Sequence, residues 1–400
     1  MENYKKELNQ DCIMDFYTLD GLKVEGKKVI VRCEFNVPID KEGNITDDFR
    51  IKKSLPTIKY LLDNGAKQVV LMSHLGKPKG VVIDILKMNR VASRLQQLLG
   101  VEVIKVDDSV DITLPDSRII LLENLRFNPG EKENREEFAK KLASYADIYV
   151  NDAFGTCHRS HASVDAITKY LPSVAGFLVE KEVEMLSLEI PDRPFVAVLG
   201  CAKISDKIKM IENLLSKVDV LLLGGAIVFT FLKAKGLEIG KSLVEDEQLQ
   251  TAKDLLYNRK IVLPTDIVVS NEISENSKNW VVKAENIPKD AIGLDIGPDS
   301  IQLFSNMIKT GQTIFWNGPV GVFEVPPYDN GTKELAKIIT NTSAKTIVGG
   351  GDTASAVRHI GLDERFSHVS TGGGASIEMI QGNELPGIKA LIENKKNFIL

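Results

Sequence analysis

Phe195-Val196-Ala197-Val198-Leu199-Gly200-Cys201-Ala202-Lys203-Ile204-Ser205-Asp206-Lys207 is the stretch that decides the fold. Phe195–Leu199 is an unbroken apolar run, which predicts a β-strand buried on both faces. Gly200 suits a tight turn, and from Ser205 to Lys217 apolar residues recur with the helical period. A doubly buried strand that hands straight over to a helix is the repeating unit of a parallel α/β sheet.

The same alternation extends in both directions. Towards the N-terminus, strand-like runs at Val29–Arg32, Gln68–Met72, Arg118–Leu122 and Ile148–Asn151 enclose amphipathic stretches near Lys52–Asp63, Lys87–Leu99 and Arg135–Tyr145. Towards the C-terminus come Val218–Leu223, Lys260–Leu263, Thr313–Trp316, Thr346–Val348 and His368–Val369, with helical periods at Glu247–Tyr257 and Thr332–Asn341. The expected fold is α/β, with two doubly wound parallel-sheet domains, which suits a length of 400 residues. Their boundary falls near Glu180–Pro194, where a helical Glu180–Leu186 runs into Pro191-Asp192-Arg193-Pro194, a segment that cannot continue it.

A net charge of −5 argues against broad affinity for nucleic acid or membrane, so any anion site must gather its cations locally. Cys12, Cys33, Cys157 and Cys201 form no Cys-x-x-Cys pair and read as reduced thiols. Met1–Asp20 lacks the apolar core of a secretion signal, and no run reaches the roughly 18 apolar residues of a membrane span. The expected location is the cytoplasm.

Residues suited to ligands are unevenly divided. Arg50, His74, Lys77, Arg126, His158, Arg159 and His161 all fall within the first 165 residues. Polar side chains follow strands at Glu34 and Asn36, at His74 and Lys77, at Glu123–Arg126 and at Asn151–His161. The C-terminal ends of parallel strands share one rim, where ligands of open α/β sheets bind. A single Arg there is more often a surface ion pair; the repetition favours a small ligand carrying carboxylate or phosphate. His158 and His161 have a spacing that also fits a metal, but no cysteine or carboxylate cluster accompanies them.

The C-terminal half suits a nucleotide. Gly349-Gly350-Gly351-Asp352-Thr353 is a strand end running into glycines, then Asp and Thr at a helix start, which fits phosphate with magnesium. Gly372-Gly373-Gly374 echoes it. Lys203 and Lys207, four apart, are expected on one helical face near its N-terminus, turned to phosphate, with a solvated lysine face as the plain alternative. Asn317 and Glu324 flank a glycine/proline turn, and Glu324 suits ribose hydroxyls unless it caps a helix. Gly236–Ser242 is one residue too short between its glycines for a phosphate-binding P-loop and reads as a plain loop.

In order along the chain, VRCEFNVP (31–38), SHLGKP (73–78), LLENLRF (121–127), NDAFGTCHRSHAS (151–163), AGFLVEKE (175–182), RPFVAVLGCAKISDKI (193–208), LPTD (263–266), GLDIGP (293–298), WNGPVGVFE (316–324), IVGGGDT (347–353), HVSTGGGAS (368–376) and ELPG (384–387) resemble the phosphoglycerate kinase family from about Leu22 onward. The resemblance implies two Rossmann-like domains joined by a hinge. Residues 1–180 would bind phosphoglycerate, with about 383–400 packing back on them; residues 181–382, including the interdomain helix, would bind nucleotide. It implies reversible, Mg²⁺-dependent phosphoryl transfer between 1,3-bisphosphoglycerate and ADP, giving 3-phosphoglycerate and ATP, in glycolysis and gluconeogenesis. It also implies a monomer whose partners are these small molecules.

By position in those motifs, Glu34, Asn36, Arg50, His74, Lys77, Arg126 and Arg159 correspond to the phosphoglycerate site. Lys203, Lys207, Asn317, Glu324, Gly350, Gly351, Asp352 and Thr353 correspond to the nucleotide site, with Asp352 the magnesium contact. Arg50, Lys203 and the backbone at Gly351 and Gly374 would act on the phosphoryl group in transfer; Arg50 rests mainly on the resemblance. Glu34, Lys77, Cys201 and Ala226 stand where the family usually has Asp, Arg, Gly and Gly. These departures leave open a catalytically weakened relative with a binding or regulatory role. A dehydrogenase would need a Gly-x-Gly-x-x-Gly turn opening its first helix, which this chain lacks.

Overall fold

In the computed structural model, which describes residues 14–188 and 191–400, the chain divides into two units. One ends at Glu184 and takes in Glu384–Leu400; the other is Met185–Asn383. Cys12, most of the Met1–Asp20 stretch and residues 189–190 of the expected boundary lie outside the described residues. The helix expected from Glu180 runs over Phe177–Leu186.

The first unit holds β1 (Lys28–Cys33), β2 (Gln68–Met72), β3 (Ile104–Lys105), β4 (Ile119–Leu121), β5 (Ile148–Asp152) and β6 (Ser173–Ala175). They form one parallel sheet in the order β3-β4-β2-β1-β5-β6. Side-chain alternation feeds two cores. Val29, Val31, Val69 and Leu71 pack with Ile58 and Leu61 of the helix Phe49–Asp63, and Ile30, Val70 and Tyr149 pack with Phe138 and Leu142 of the helix Glu136–Ala143. The stretches Val29–Val31, Val69–Met72, Ile119–Leu121 and Ile148–Val150 are therefore apolar at successive rather than alternate positions, as expected of strands buried on both faces. The helix Pro386–Asn397 docks on the same unit through buried Asn394, which accepts from Ser173 N at 2.8 Å and donates to Leu171 O at 2.9 Å.

The second unit holds β7 (Phe195–Gly200), β8 (Val220–Gly224), β9 (Ile261–Val262), β10 (Asp266–Ser270), β11 (Asn279–Lys283), β12 (Ile292–Ile296), β13 (Thr313–Asn317), β14 (Lys345–Gly349) and β15 (His368–Val369). Six of them form a parallel sheet ordered β15-β14-β13-β7-β8-β9. The other three form a separate antiparallel sheet, β11-β10-β12, where only parallel strands were expected. Its outer strand, β11, alternates exposed with half-buried residues, so it never produces the continuous apolar run that marks the others. Gly236–Ser242 is a loop, as its glycine spacing predicts. Register places the ends of β7, β8, β13 and β14 side by side: Gly200 faces Gly224, and Asn317 faces both Leu199 and Gly349.

Candidate active site

In the first unit the segments leaving β1, β2 and β4 knit the polar residues together. Glu34 is buried, and its Oε1 accepts from Arg50 Nη1 at 3.3 Å; Arg50 also donates to the Asn36 carbonyl at 2.8 Å. Asn36 Oδ1 accepts from Gly76 N at 2.9 Å, and Arg126 Nη1 donates to Gly76 O at 2.9 Å. Arg50 enters from the first turn of the helix Phe49–Asp63. The longer Glu34 side chain has room because it lies over Gly155, where an added Cβ would come within 2.8 Å of Oε2.

Cations are crowded here. His74 is buried with its Nδ1 2.9 Å from Arg32 Nη2; burial, then Arg32, Arg126, His161 and Arg50, hold its imidazole well below the ordinary range. Burial and then Arg32 bring Arg126 down to about 10. Among the described residues, the buried Arg126 Nε has no hydrogen-bond partner. A guanidinium pressed against other cations and left one donor short is built to receive an anion. Lys77 and Arg159 are exposed, and Arg159 Nε donates to His158 Nε2 at 2.9 Å. Burial pushes His161 down to about 3 beside Glu131, whose Oε1 is 3.7 Å from its Nδ1. Among the described residues no group of three or more His, Cys, Asp or Glu side chains is placed to hold a metal ion.

Arg32 was not singled out from the sequence, although a lone Arg inside the apolar run of β1 is a visible signal. It is fully buried, and Glu131, also buried, lies 4.0 Å from its Nη2.

In the second unit a cavity of about 430 Å³ opens at the C-terminal ends of the strands. Its wall includes Lys207, Asn317, Glu324 and Gly350–Thr353, together with Cys201 and Ala226. Lys207 Nζ donates to Asn317 Oδ1 at 2.9 Å, and Asn317 Nδ2 donates to Gly349 O at 2.8 Å; burial lowers the lysine pKa. Gly318 N donates to the Oγ1 of buried Thr353. Backbone approach is very close: a Cβ on Gly318 would lie 1.6 Å from Gly200 O. Asp352 is exposed in the first turn of the helix Gly351–His359. Glu324 is exposed and caps no helix, since the next helix is capped at Asp329.

Two positions differ from expectation. Lys203 and Lys207 do not share a helical face: the helix begins at Ile208, with Lys207 as its N-cap. Ser205, expected to open the helix, instead gives its N–H to Glu245 Oε2 at 3.1 Å and its hydroxyl to Glu245 Oε1 at 2.6 Å. Lys203 is thus exposed in the preceding turn and outside the cavity wall. Gly374 opens the short helix Gly374–Ile380 and is also outside the wall, which that helix reaches through Ile377. Cys201 is half-buried in the wall, its Sγ donating to Lys203 O at 3.4 Å, and burial pushes its thiol up to about 12.

Residues 19–383 match the phosphoglycerate kinase family. This chain belongs to the phosphoglycerate kinase family. The phosphoglycerate kinase of Dictyoglomus turgidum is 50% identical to it over 383 residues, covering 92% of this chain and 96% of that one. The cytosolic phosphoglycerate kinase of Triticum aestivum is 49% identical over 394 residues, covering 94% and 98%. The solved structure of phosphoglycerate kinase from Coxiella burnetii superposes with a TM-score of 0.86 at 40% identity, covering 94% of this chain and 99% of that one. The two parallel-sheet domains of this chain are thus an architecture it shares with solved family members.

Proposed function

We propose that this phosphoglycerate kinase family member transfers a phosphoryl group reversibly between 1,3-bisphosphoglycerate and ADP, giving 3-phosphoglycerate and ATP. It is a phosphotransferase with a carboxyl group as acceptor, and it serves glycolysis. The cation cluster around Arg126, one donor short, carries the reading, because such a cluster fits a ligand with several anionic groups. We assign that unit to phosphoglycerate, through Glu34, Asn36, Arg50, His74, Lys77, Arg126 and Arg159. We assign the cavity of the other unit to nucleotide, through Lys207, Asn317, Glu324, Gly350, Gly351, Asp352 and Thr353, with Lys203 reserved for the phosphoryl group in transfer.

No covalent enzyme intermediate is required. Catalysis consists of aligning donor oxygen, phosphorus and acceptor oxygen and stabilising the charge on the moving group. Arg50 contributes from one unit and Lys203 from the other, with backbone N–H groups at Gly351 and Gly374. One fixed cation about 4 Å from that charge supplies roughly 4 kcal/mol at an effective dielectric of about 20. Asp352 is the side chain that would hold magnesium, and the ion would supply neutralisation of nucleotide phosphate charge. The two substrates occupy separate units, so turnover requires a closing motion.

No observation favours a weakened relative. Glu34 is accommodated over Gly155 and engages Arg50. We assign the chain to the cytoplasm, as for its cytosolic relative in Triticum aestivum, although chloroplastic relatives exist in Arabidopsis thaliana. Among the described residues no helix is long and apolar enough to cross a membrane. We further propose that it acts as a monomer.

Steady-state kinetics of two variants test the division of labour. Arg126→Met should raise KM for 3-phosphoglycerate by about tenfold or more, the value of a lost charge-assisted hydrogen bond, and leave KM for ATP unchanged. Lys207→Met should do the reverse. If either variant moves both constants equally, or moves the wrong one, the assignment fails.

A further inference from the structure

We propose that Arg32 is a positioning residue for the phosphoglycerate site: it fixes the tautomer of His74 so that the ring presents Nε2–H to the bound substrate. The proposal rests on the assignment of His74 to that site. Arg32 lies on β1, fully buried, and every guanidinium nitrogen is engaged. Nε donates to Ser163 Oγ at 2.8 Å, Nη1 donates to Cys33 O at 2.6 Å, and Nη2 lies 2.9 Å from His74 Nδ1.

A guanidinium offers only N–H donors and does not lose its proton in a protein. The atom it faces at hydrogen-bond distance must therefore carry a lone pair. A neutral imidazole has one donor and one acceptor nitrogen, so an accepting Nδ1 puts the proton on Nε2. A doubly protonated ring is excluded on the same ground, since N–H would face N–H. The surrounding charges agree: Arg126, His161 and Arg50 also bear on His74 and oppose a second proton.

Among the described residues no side chain or backbone group bonds His74 Nε2, which leaves that donor for a ligand. A carbonyl or carboxylate at Nδ1, the common arrangement behind a functional histidine, would fix the opposite tautomer and turn a lone pair towards an anionic substrate. Arg32 inverts that arrangement. Its own orientation is held from behind, because Ser163 Oγ donates to Glu131 Oε1 at 2.7 Å and Ser163 N donates to Oε2 at 3.0 Å.

Nitrogen-15 NMR of the histidine-labelled full chain at neutral pH tests this, with His74 assigned by its loss in His74→Gln. We expect Nδ1 unprotonated, Nε2 protonated, and a shift of the His74 Nε2 resonance on titrating 3-phosphoglycerate. A proton on Nδ1, or on both nitrogens, overturns the role of Arg32 whether or not the substrate shifts the resonance. The expected tautomer with no response to substrate overturns that role and the placement of His74 in the site together.

The paired variant Arg32→Met/Glu131→Gln removes the guanidinium without stranding a buried carboxylate. It should populate both tautomers and raise KM for 3-phosphoglycerate about three- to tenfold, the value of one hydrogen bond, with kcat and the nucleotide KM unchanged. Equal effects on both substrates, or an unchanged tautomer, would count against the proposal. If the variant fails to fold, the wild-type spectrum still decides.

Discussion

Asp152 and Asp295, one in each unit, are carboxyls that burial pushes up to about 8. Asp152 Oδ1 accepts from Thr57 Oγ1 and Leu178 N, both at 2.9 Å, while its buried Oδ2 has no partner among the described residues. Asp295 accepts from Ile296 N at 2.8 Å and Gly331 N at 2.7 Å. An unfolded Asp titrates near pH 4, so between about pH 4 and 8 the native chain holds protons that the unfolded chain has lost. Stability therefore falls as pH rises through that window. His74 and His161 act with the opposite sign: their native pKa values lie below the unfolded value of about 6.5, so their contribution grows with pH up to there. From about pH 6.5 to 7.5 the carboxyl effect dominates. Nearer about pH 8.5 the thiols of Cys33, Cys157 and Cys201, which burial holds protonated in the native chain, begin to add to the decline as their unfolded counterparts ionise. Urea unfolding should accordingly show lower stability at about pH 7.5 than at about pH 6.5, below the range where thiols ionise, with a shallower decline in Asp152→Asn. A flat profile in the wild-type chain would mean that these carboxyls ionise freely in the native state. At this scale the sequence was informative where residue type and position suffice, as for the Arg126 and Gly350–Thr353 motifs. It was silent where burial decides, as for Asp152 and Asp295, and for Arg32 it showed a lone cation in an apolar run but not its partners.

Strand-to-helix handovers place the residues assigned above to nucleotide, and their glycines are fitted to specific neighbours. Gly350 follows β14 with φ +87°, and a Cβ there would lie 2.5 Å from Asn317 Nδ2, the group that braces Gly349 O. Gly350→Ala should strain the backbone by roughly 1–3 kcal/mol and push Asn317 from Lys207. We expect a lower unfolding midpoint and a raised KM for ATP, with KM for 3-phosphoglycerate unchanged; an unaltered nucleotide KM would show that the turn tolerates a side chain. Most strands and helices of both parallel sheets could be read from apolar runs and helical periods, because the inner strands are covered on both faces. The antiparallel sheet could not, since β11 is half-exposed. Nor could the start of the helix Ile208–Lys217, which depends on Ser205 meeting Glu245, forty residues along the chain. Partners that distant leave no local pattern.

For the whole molecule, a cation-rich cluster in one unit and a glycine-walled cavity in the other fit two anionic substrates held separately. The family match and about half-identical relatives over nearly the full chain point to one reaction. The departures at Glu34, Lys77, Cys201 and Ala226 change side chains within that plan, and the structure explains how Glu34 fits without explaining why Lys77 replaces the usual Arg. Purified protein supplied with MgATP and 3-phosphoglycerate, coupled to an aldehyde-forming dehydrogenase, gives the most direct check. Sustained turnover that requires all three components, and that is abolished by chelating magnesium, is the expected result. Absence of turnover while both substrates still bind would contradict the assignment of this chain as an active phosphoglycerate kinase.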